Sequence, residues 1–222
     1  MTVFRLILSP AVVLAVLASA GGAAGQPSAP DPEDPTAAPP VAAPQDRDAP
    51  GAGPGSPDEE AARRQARLDD LFARLADAGA TEWQPVQSEI WRMWSRSGSP
   101  SMDLLLRRAD EAVGEGDPEL ALRFLDDLVR LAPDFAEGWN KRATVYFMLG
   151  EYGRSVADIE RTLALEPRHF GALSGLAMIL ERLGDKPGAY VAYAQALEVH
   201  PNLPGAAKAV ERLAPEVEGR EL

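Results

Sequence analysis

One spacing constrains the fold of this chain more than any other feature: a period of 34 residues. Three residue types each recur twice at this spacing, namely Gly116, Gly150 and Gly184, Pro133, Pro167 and Pro201, and Ala109, Ala143 and Ala177. A fixed period of this length is typical of repeat folds, in which each unit packs against its neighbours. The spacing therefore defines three consecutive units, 102–135, 136–169 and 170–203.

Within each unit, the apolar residues follow the spacing of two helices. In the middle unit Trp139, Ala143 and Tyr146 share one helix face, and Gly150 follows at the point where the chain must turn. Glycine suits such a turn because it tolerates positive φ. A second apolar stripe ends before Pro167, since proline cannot continue a helix interior. Each unit is therefore predicted to be a helix–turn–helix pair.

This framework resembles the tetratricopeptide repeat (TPR) family over about half of the chain. The matching residues are Trp139, Ala143, Tyr146, Gly150 and Pro167 in the middle unit, Leu173, Leu176, Ala177, Gly184, Ala189, Tyr193, Ala196 and Pro201 in the last, and Ala109, Gly116, Ala121, Leu125 and Pro133 in the first. The chain departs from the family pattern at four positions: Arg108 and Arg142 replace the usual Leu, and Ser155 and Thr162 the usual Ala.

Further helices are predicted on both sides of the three units. Before them, Ser56 to Glu59 forms a capping-box pattern that opens a degenerate helix pair over 58–101. After them, a helix over Ala206 to Leu213, within 204–222, is expected to cover the open end with a polar face. The predicted fold is all-α, an α-solenoid of about four TPR-like helix pairs, three clear and one degenerate, plus a C-terminal capping helix.

The first 57 residues have a different composition from the rest. Arg5, the apolar run Leu6 to Ala18 and the small residues after it predict a signal peptide over 1–24. The alternative is an uncleaved anchor, which would tether the protein to a membrane. The segment 25–57 contains ten of the chain's 20 prolines and is predicted to be a disordered Pro/Ala-rich spacer. The expected location is therefore periplasmic or secreted.

Composition disfavours several classes of function. The formal net charge is −12, which disfavours a nucleic-acid partner because such proteins need clustered Lys and Arg. The chain has no cysteine and two histidines, so thiol chemistry is absent and no metal site or cofactor is expected. No phosphate-binding glycine loop or nucleophile motif is present, so no catalytic residue and no small-molecule substrate are predicted.

The histidines and tryptophans are assigned by their position in the repeat. His169 matches Phe135 and Leu203, so it is expected to pack at the corner between two units, whereas His200 is expected at the surface. Trp91 and Trp94 are expected to lie in the core. An enzyme that uses His169 with neighbouring acids remains the alternative from another class.

The family resemblance implies a groove, lined by the first helix of each unit, that binds an extended peptide or a helix. The groove positions are Leu106, Asp110, Val113, Asn140, Thr144, Phe147, Ser174, Met178 and Glu181. Only Asn140 matches the Lys/Asn/Arg clamp with which some members hold a terminal carboxylate, so no such clamp is expected. The predicted function is a non-catalytic scaffold of the cell envelope that binds a protein segment; the other alternative is a self-associating structural protein.

Overall fold

The computed structural model describes residues 56–79 and 82–218. These residues form nine α-helices and no strand. The helices are α1 (Pro57–Asp77), α2 (Trp83–Trp94), α3 (Pro100–Gly114), α4 (Pro118–Leu131), α5 (Ala136–Met148), α6 (Tyr152–Leu165), α7 (Phe170–Arg182), α8 (Lys186–Val199) and α9 (Pro204–Glu218). The all-α prediction is confirmed for this part of the chain, and the predicted signal peptide and nearly all of the spacer lie outside it.

Helices α3 to α8 form three antiparallel pairs, α3–α4, α5–α6 and α7–α8, as the 34-residue period predicts. The turn inside each pair contains the recurring glycine, and Gly116, Gly150 and Gly184 have φ of 79°, 76° and 83°. This left-handed conformation strongly favours glycine, because a Cβ atom would clash there. The period therefore reflects a conformational requirement that is repeated at each turn.

Two departures from the family pattern are hydroxyl groups that find partners inside the repeat. The Ser155 hydroxyl donates a 2.7 Å hydrogen bond to the Ala143 carbonyl, which joins α6 to α5. The Thr162 hydroxyl donates to the Asp158 carbonyl at 2.9 Å, one turn earlier in α6. Both side chains are buried, and a buried hydroxyl is tolerated when it is hydrogen-bonded. A larger polar residue thus replaces alanine without leaving an unsatisfied group.

A third departure, Arg142, joins three helices. From α5 its guanidinium group bonds both oxygens of Asp158 on α6, at 2.7 and 2.8 Å, and Asp126 on α4, at 2.8 Å. The hydrogen bonds that Arg142 donates to Asp158 are the main cause that raises the pKa of Arg142 above its ordinary value. Since the Asp158 side chain is only 6% exposed, Arg142 is the partner that compensates for the burial of its carboxyl group.

The N-terminal helix pair begins with the predicted capping box. The Ser56 hydroxyl accepts from the backbone N–H of Glu59, and the Glu59 carboxylate accepts from that of Ser56 at 3.1 Å. The second helix of the pair is α2. We call these two helices, α1 and α2, the N-terminal hairpin.

The N-terminal hairpin packs along the joints between later repeats. Its buried apolar side chains form one core with Phe170, the first residue of α7, Val199, the last residue of α8, and Leu203, between α8 and α9. Polar contacts follow the same path: Arg168 pairs with Asp69 on α1 at 2.7 Å, and the Asn202 amide donates to the Ala78 carbonyl at 2.8 Å. From the repeat register alone, the N-terminal hairpin would stack on α3. Instead, its aromatic side chains pack against the joints between later repeats.

The last helix, α9, covers the open end of the solenoid. Ala206, Ala209 and Leu213 are buried against α8, whereas Lys208 and Glu211 are exposed to solvent. The helix is longer than the sequence predicted, but its apolar and polar faces are as expected. A C-terminal capping helix is therefore confirmed.

Candidate functional site

The first helices of the second and third repeats, α5 and α7, form a groove. Its deepest point is a cavity of about 90 Å³ between the two helices. The lining residues are Asn140, Ala143, Thr144, Phe147, Ser155, Ile159, Gly171, Ala172, Gly175, Met178 and Ile179. A shallower depression of about 420 Å³ continues from it past Phe147, Met178, Glu181, Arg182 and Tyr193. We call these two connected depressions the α5–α7 groove.

Five of the nine predicted groove residues lie together in the α5–α7 groove. They are Asn140, Thr144, Phe147, Met178 and Glu181. Met178 is 43% exposed, so an apolar side chain is presented to solvent next to half-buried Phe147. The site therefore combines apolar surface with an amide, a hydroxyl and a carboxylate.

The other four predicted residues have different surroundings. Leu106 is buried and Val113 half-buried in the core of the first repeat, so they stabilise that repeat. Asp110 is exposed and pairs with Lys141 at 2.8 Å, which links α3 to α5. Ser174 is half-buried on α7, and its hydroxyl has no hydrogen-bond partner.

Two charged residues at the edge of the α5–α7 groove already have partners. The Glu181 carboxylate pairs with Arg212 of α9 at 2.7 Å, and this bond lowers the pKa of Glu181 below its ordinary value. The Arg182 guanidinium lies 5.0 Å from the centre of the Phe147 ring, a cation–π distance. The edge thus contains the Glu181–Arg212 pair and Arg182, and this mixed charge favours neither a strongly acidic nor a strongly basic ligand.

His169 contacts the groove residue Ala172 and is fully buried at the corner between α6 and α7. His169 is the N-cap of α7, and its Nδ1 accepts a hydrogen bond from the Ala172 N–H at 3.1 Å. The other ring nitrogen, Nε2, lies 3.0 Å from Oε2 of Glu137 on α5. The predicted corner position of His169 is confirmed, and the ring joins two repeats.

Tryptophans of the N-terminal hairpin enclose His169. The Trp94 ring stacks on the imidazole with centroids 4.1 Å apart and planes 10° from parallel. Trp91 meets the same imidazole edge-on at 5.5 Å. Trp94 is buried and Trp91 packs against the hairpin core, so the prediction that both lie in the core is confirmed.

The predicted surface position of His200 is wrong. The side chain is fully buried, its Nε2 lies 2.8 Å from the Gln87 amide oxygen, and its ring packs against Trp83 and Phe170. Burial lowers the pKa of His200 below its ordinary value of 6.5. The N-terminal hairpin covers this joint, and the repeat pattern contains no information about that contact.

Comparison with known proteins identifies the family. A model of the tetratricopeptide repeat matches residues 106–157 and 140–207. A TPR repeat-containing protein of Rhizobium etli is 41% identical over 154 residues, which cover 69% of this chain and 76% of that protein. The chain belongs to the tetratricopeptide repeat family. The sequence resemblance is thereby confirmed.

Solved TPR domains share the α-solenoid. The first TPR of Spaghetti (RPAP3), bound to the HSP90 peptide SRMEEVD, is similar with a TM-score of 0.50 and 19% identity, over 53% of this chain and 93% of that one. The Sgt2 TPR domain of Aspergillus fumigatus has a TM-score of 0.51 and 21% identity, over 55% of this chain and 83% of that one. At such identities the likeness shows the fold alone.

The sequence prediction of this TPR protein's site did not include Glu137, which does not line the α5–α7 groove itself but contacts Asn140, which does. The side chain is 1% exposed, and its Oε2 also accepts a 3.1 Å hydrogen bond from the Asn140 amide. A glutamate in the first turn of a helix ordinarily faces solvent, so its identity gave no signal. The one signal that could have predicted its burial was the possibility of a hydrogen bond between this acidic residue and the histidine at the next joint, His169.

Two further findings concern the described residues as a group. Between 56 and 218, leaving aside the two undescribed positions 80 and 81, no three His, Cys, Asp or Glu side chains converge as metal ligands. Over the same stretch, none of the helices is long and apolar enough to cross a membrane.

Proposed function

We propose that this TPR protein is a non-catalytic scaffold that holds a segment of a partner protein in the α5–α7 groove. The observation that carries the proposal is the exposure of Met178 beside Phe147, within reach of the polar side chains of Asn140 and Thr144. Peptide grooves are typically built in this way, with apolar contacts that give affinity and a few polar groups that fix orientation.

The ligand class follows from the size and charge of the groove. The deep cavity has room for one small apolar side chain, while the shallower depression is open along its length. The edge contains the Glu181–Arg212 pair and Arg182, so its charge is mixed. An extended or helical protein segment with an apolar side chain fits these features better than a small charged metabolite does. The RPAP3 domain, which shares the fold, is solved with a peptide bound.

The absence of catalysis is part of the proposal and rests on His169. One ring nitrogen accepts from Ala172 and the other contacts Glu137, and the ring is fully buried beneath Trp94. A general base must reach the proton of a substrate with a free nitrogen, and neither nitrogen of this ring is free. The neighbouring acid that an enzyme would need is therefore used to hold two repeats together.

The export of the protein is also a proposal. It rests on the signal-peptide pattern over 1–24 and the Pro/Ala-rich composition of 25–57, which would display the TPR solenoid at a distance from a membrane or cell surface. Cell fractionation with N-terminal sequencing of the native protein tests it. A chain that starts at Met1 in the cytosolic fraction would contradict it.

Affinity purification from the native cell tests the binding site. The full-length protein and its Asn140→Ala/Phe147→Ala variant are compared with Val191→Ala, which removes an exposed apolar side chain from α8, outside the groove lining. We expect the double variant to lose the co-purified partner and the α8 variant to retain it. Undiminished recovery by the double variant would place the binding site outside the α5–α7 groove.

A further inference from the structure

We propose that Glu137 is a positioning residue for ligand binding, and that the N-terminal hairpin helps to fix the geometry of the α5–α7 groove. The hairpin packs on His169, and His169 is hydrogen-bonded to Glu137. Glu137 in turn sets the orientation of the Asn140 amide at the groove wall. The inference deepens the proposed function and rests on it, because Asn140 matters only if the groove binds a ligand.

The first contact fixes the Asn140 amide. Its Nδ2 donates to Oε2 of Glu137 at 3.1 Å, while the same side chain lines the cavity. An asparagine amide has two N–H donors and one carbonyl acceptor, and the side chain would otherwise choose among orientations. With the nitrogen bound to a buried carboxylate, one donor is occupied and the orientation is set.

The second contact fixes Glu137. The Ala172 N–H donates to Nδ1 of His169, so in the neutral ring the proton lies on Nε2, which donates to Oε2 of Glu137 at 3.0 Å. The other carboxylate oxygen, Oε1, is buried without a partner. Both hydrogen bonds that compensate for the burial of Glu137 therefore converge on one oxygen atom. Loss of the imidazole would leave this carboxylate with Asn140 alone.

The third contact fixes His169. Trp94 of the N-terminal hairpin stacks on the imidazole at 4.1 Å. Trp91 packs so close to Gly171 that a Cβ atom there would lie 2.6 Å from its ring. Gly171 and Ala172, the second and third residues of α7, line the cavity. The hairpin thus touches the groove wall directly at Gly171 and, through His169 and Glu137, at Asn140.

The chain offers a direct readout because it has two asparagines. Asn140 reports the groove, and Asn202, whose amide donates to the Ala78 carbonyl, reports whether the N-terminal hairpin is seated. Full-length protein labelled with [¹⁵N]asparagine gives two side-chain amide pairs in a ¹H–¹⁵N spectrum. No ligand is needed, so the result stands apart from the outcome of the affinity purification.

Three variants separate the links. Glu137→Ala removes the acceptor of Asn140. Trp94→Leu removes the stack on His169, and Trp83→Leu is the matched control, since Trp83 packs on His200 instead. We expect Glu137→Ala and Trp94→Leu both to move the Asn140 pair and to speed the solvent exchange of its protons. Trp83→Leu should leave the Asn140 pair in place.

The proposal is overturned if Glu137→Ala leaves the Asn140 pair unmoved, or if Trp94→Leu and Trp83→Leu have the same effect on it. Circular dichroism checks the helical fold of each variant, and Trp94→Phe repeats the test if Trp94→Leu unfolds. If the groove binds no partner but the Asn140 pair moves as expected, the positioning of Asn140 stands and the proposed function fails.

Discussion

The Gly171→Ala substitution tests the packing of the N-terminal hairpin at a single atom. A methyl group at position 171 would lie 2.6 Å from Cη2 and 3.2 Å from Cζ2 of Trp91. Real Cβ contacts do not approach this closely, so the Trp91 ring must move. It cannot move freely, because Trp94, His169 and Phe170 surround it with centroids 5.2 to 5.5 Å away.

The expected magnitude follows from two opposing effects. Overpacking a well-packed core costs about 1–3 kcal/mol. Alanine in place of glycine inside a helix contributes about 0.5–1 kcal/mol in the other direction. The net result for Gly171→Ala is a loss of roughly 0 to 2.5 kcal/mol of unfolding free energy, centred on about 1 kcal/mol. Gly175→Ala, one turn along α7, is the matched control, since its methyl group would lie at an ordinary 3.6 Å from Ile159.

Urea unfolding followed by tryptophan fluorescence and far-UV circular dichroism measures both variants. We expect opposite signs, with Gly171→Ala less stable than the wild type and Gly175→Ala slightly more stable. If Gly171→Ala were as stable as Gly175→Ala, the Trp91 ring would not be seated on α7, and the described docking of the hairpin would be wrong.

Three further predictions concern the charge network, the buried histidine and the ligand. Arg142→Leu, which restores the usual family residue, should cost about 3 kcal/mol in urea unfolding because Asp158 stays buried without its partner; Arg142→Leu/Asp158→Leu should recover most of that loss. Burial lowers the pKa of His200 from 6.5, so the unfolded chain binds a proton before the folded chain does as pH falls. At pH values below about 6.5, the melting temperature of the wild type should therefore decrease more steeply with falling pH than that of His200→Leu. The peptide SRMEEVD should show no saturable binding in calorimetry, because a terminal carboxylate needs several charge-assisted or amide donors and only Asn140 among the predicted groove positions matches such a clamp; saturable binding that depends on the free C-terminus would refute this reasoning.

The sequence predicted the repeat fold because each unit meets the same requirements. Gly116, Gly150 and Gly184 all need positive φ, and His169 occupies the corner that Phe135 and Leu203 occupy in the sister units. Equivalent positions in a solenoid have equivalent neighbours, so one unit informs the next. The groove positions came from the family resemblance, and four of them, Asn140, Thr144, Phe147 and Met178, line one cavity.

The repeat logic fails where an element outside the repeats makes the contact. His200 was predicted to lie at the surface because its equivalents, Ala132 and Glu166, are variable positions just before the proline, yet the N-terminal hairpin covers it with Trp83. This contact joins residues more than a hundred positions apart. The burial of Glu137 was not predicted either. It depends on a histidine 32 residues away, and that histidine is covered by a tryptophan of the hairpin.

The central claim, that a protein segment lies in the α5–α7 groove, is tested most directly by site-specific photocrosslinking in the native cell. A photoreactive amino acid replaces Thr144 in one full-length variant and Val191, exposed on α8, in another. We expect the probe at position 144 to join one defined partner protein, and that product to disappear when Phe147→Ala is added. A crosslink from position 191 to the same partner, with none from position 144, would contradict the account.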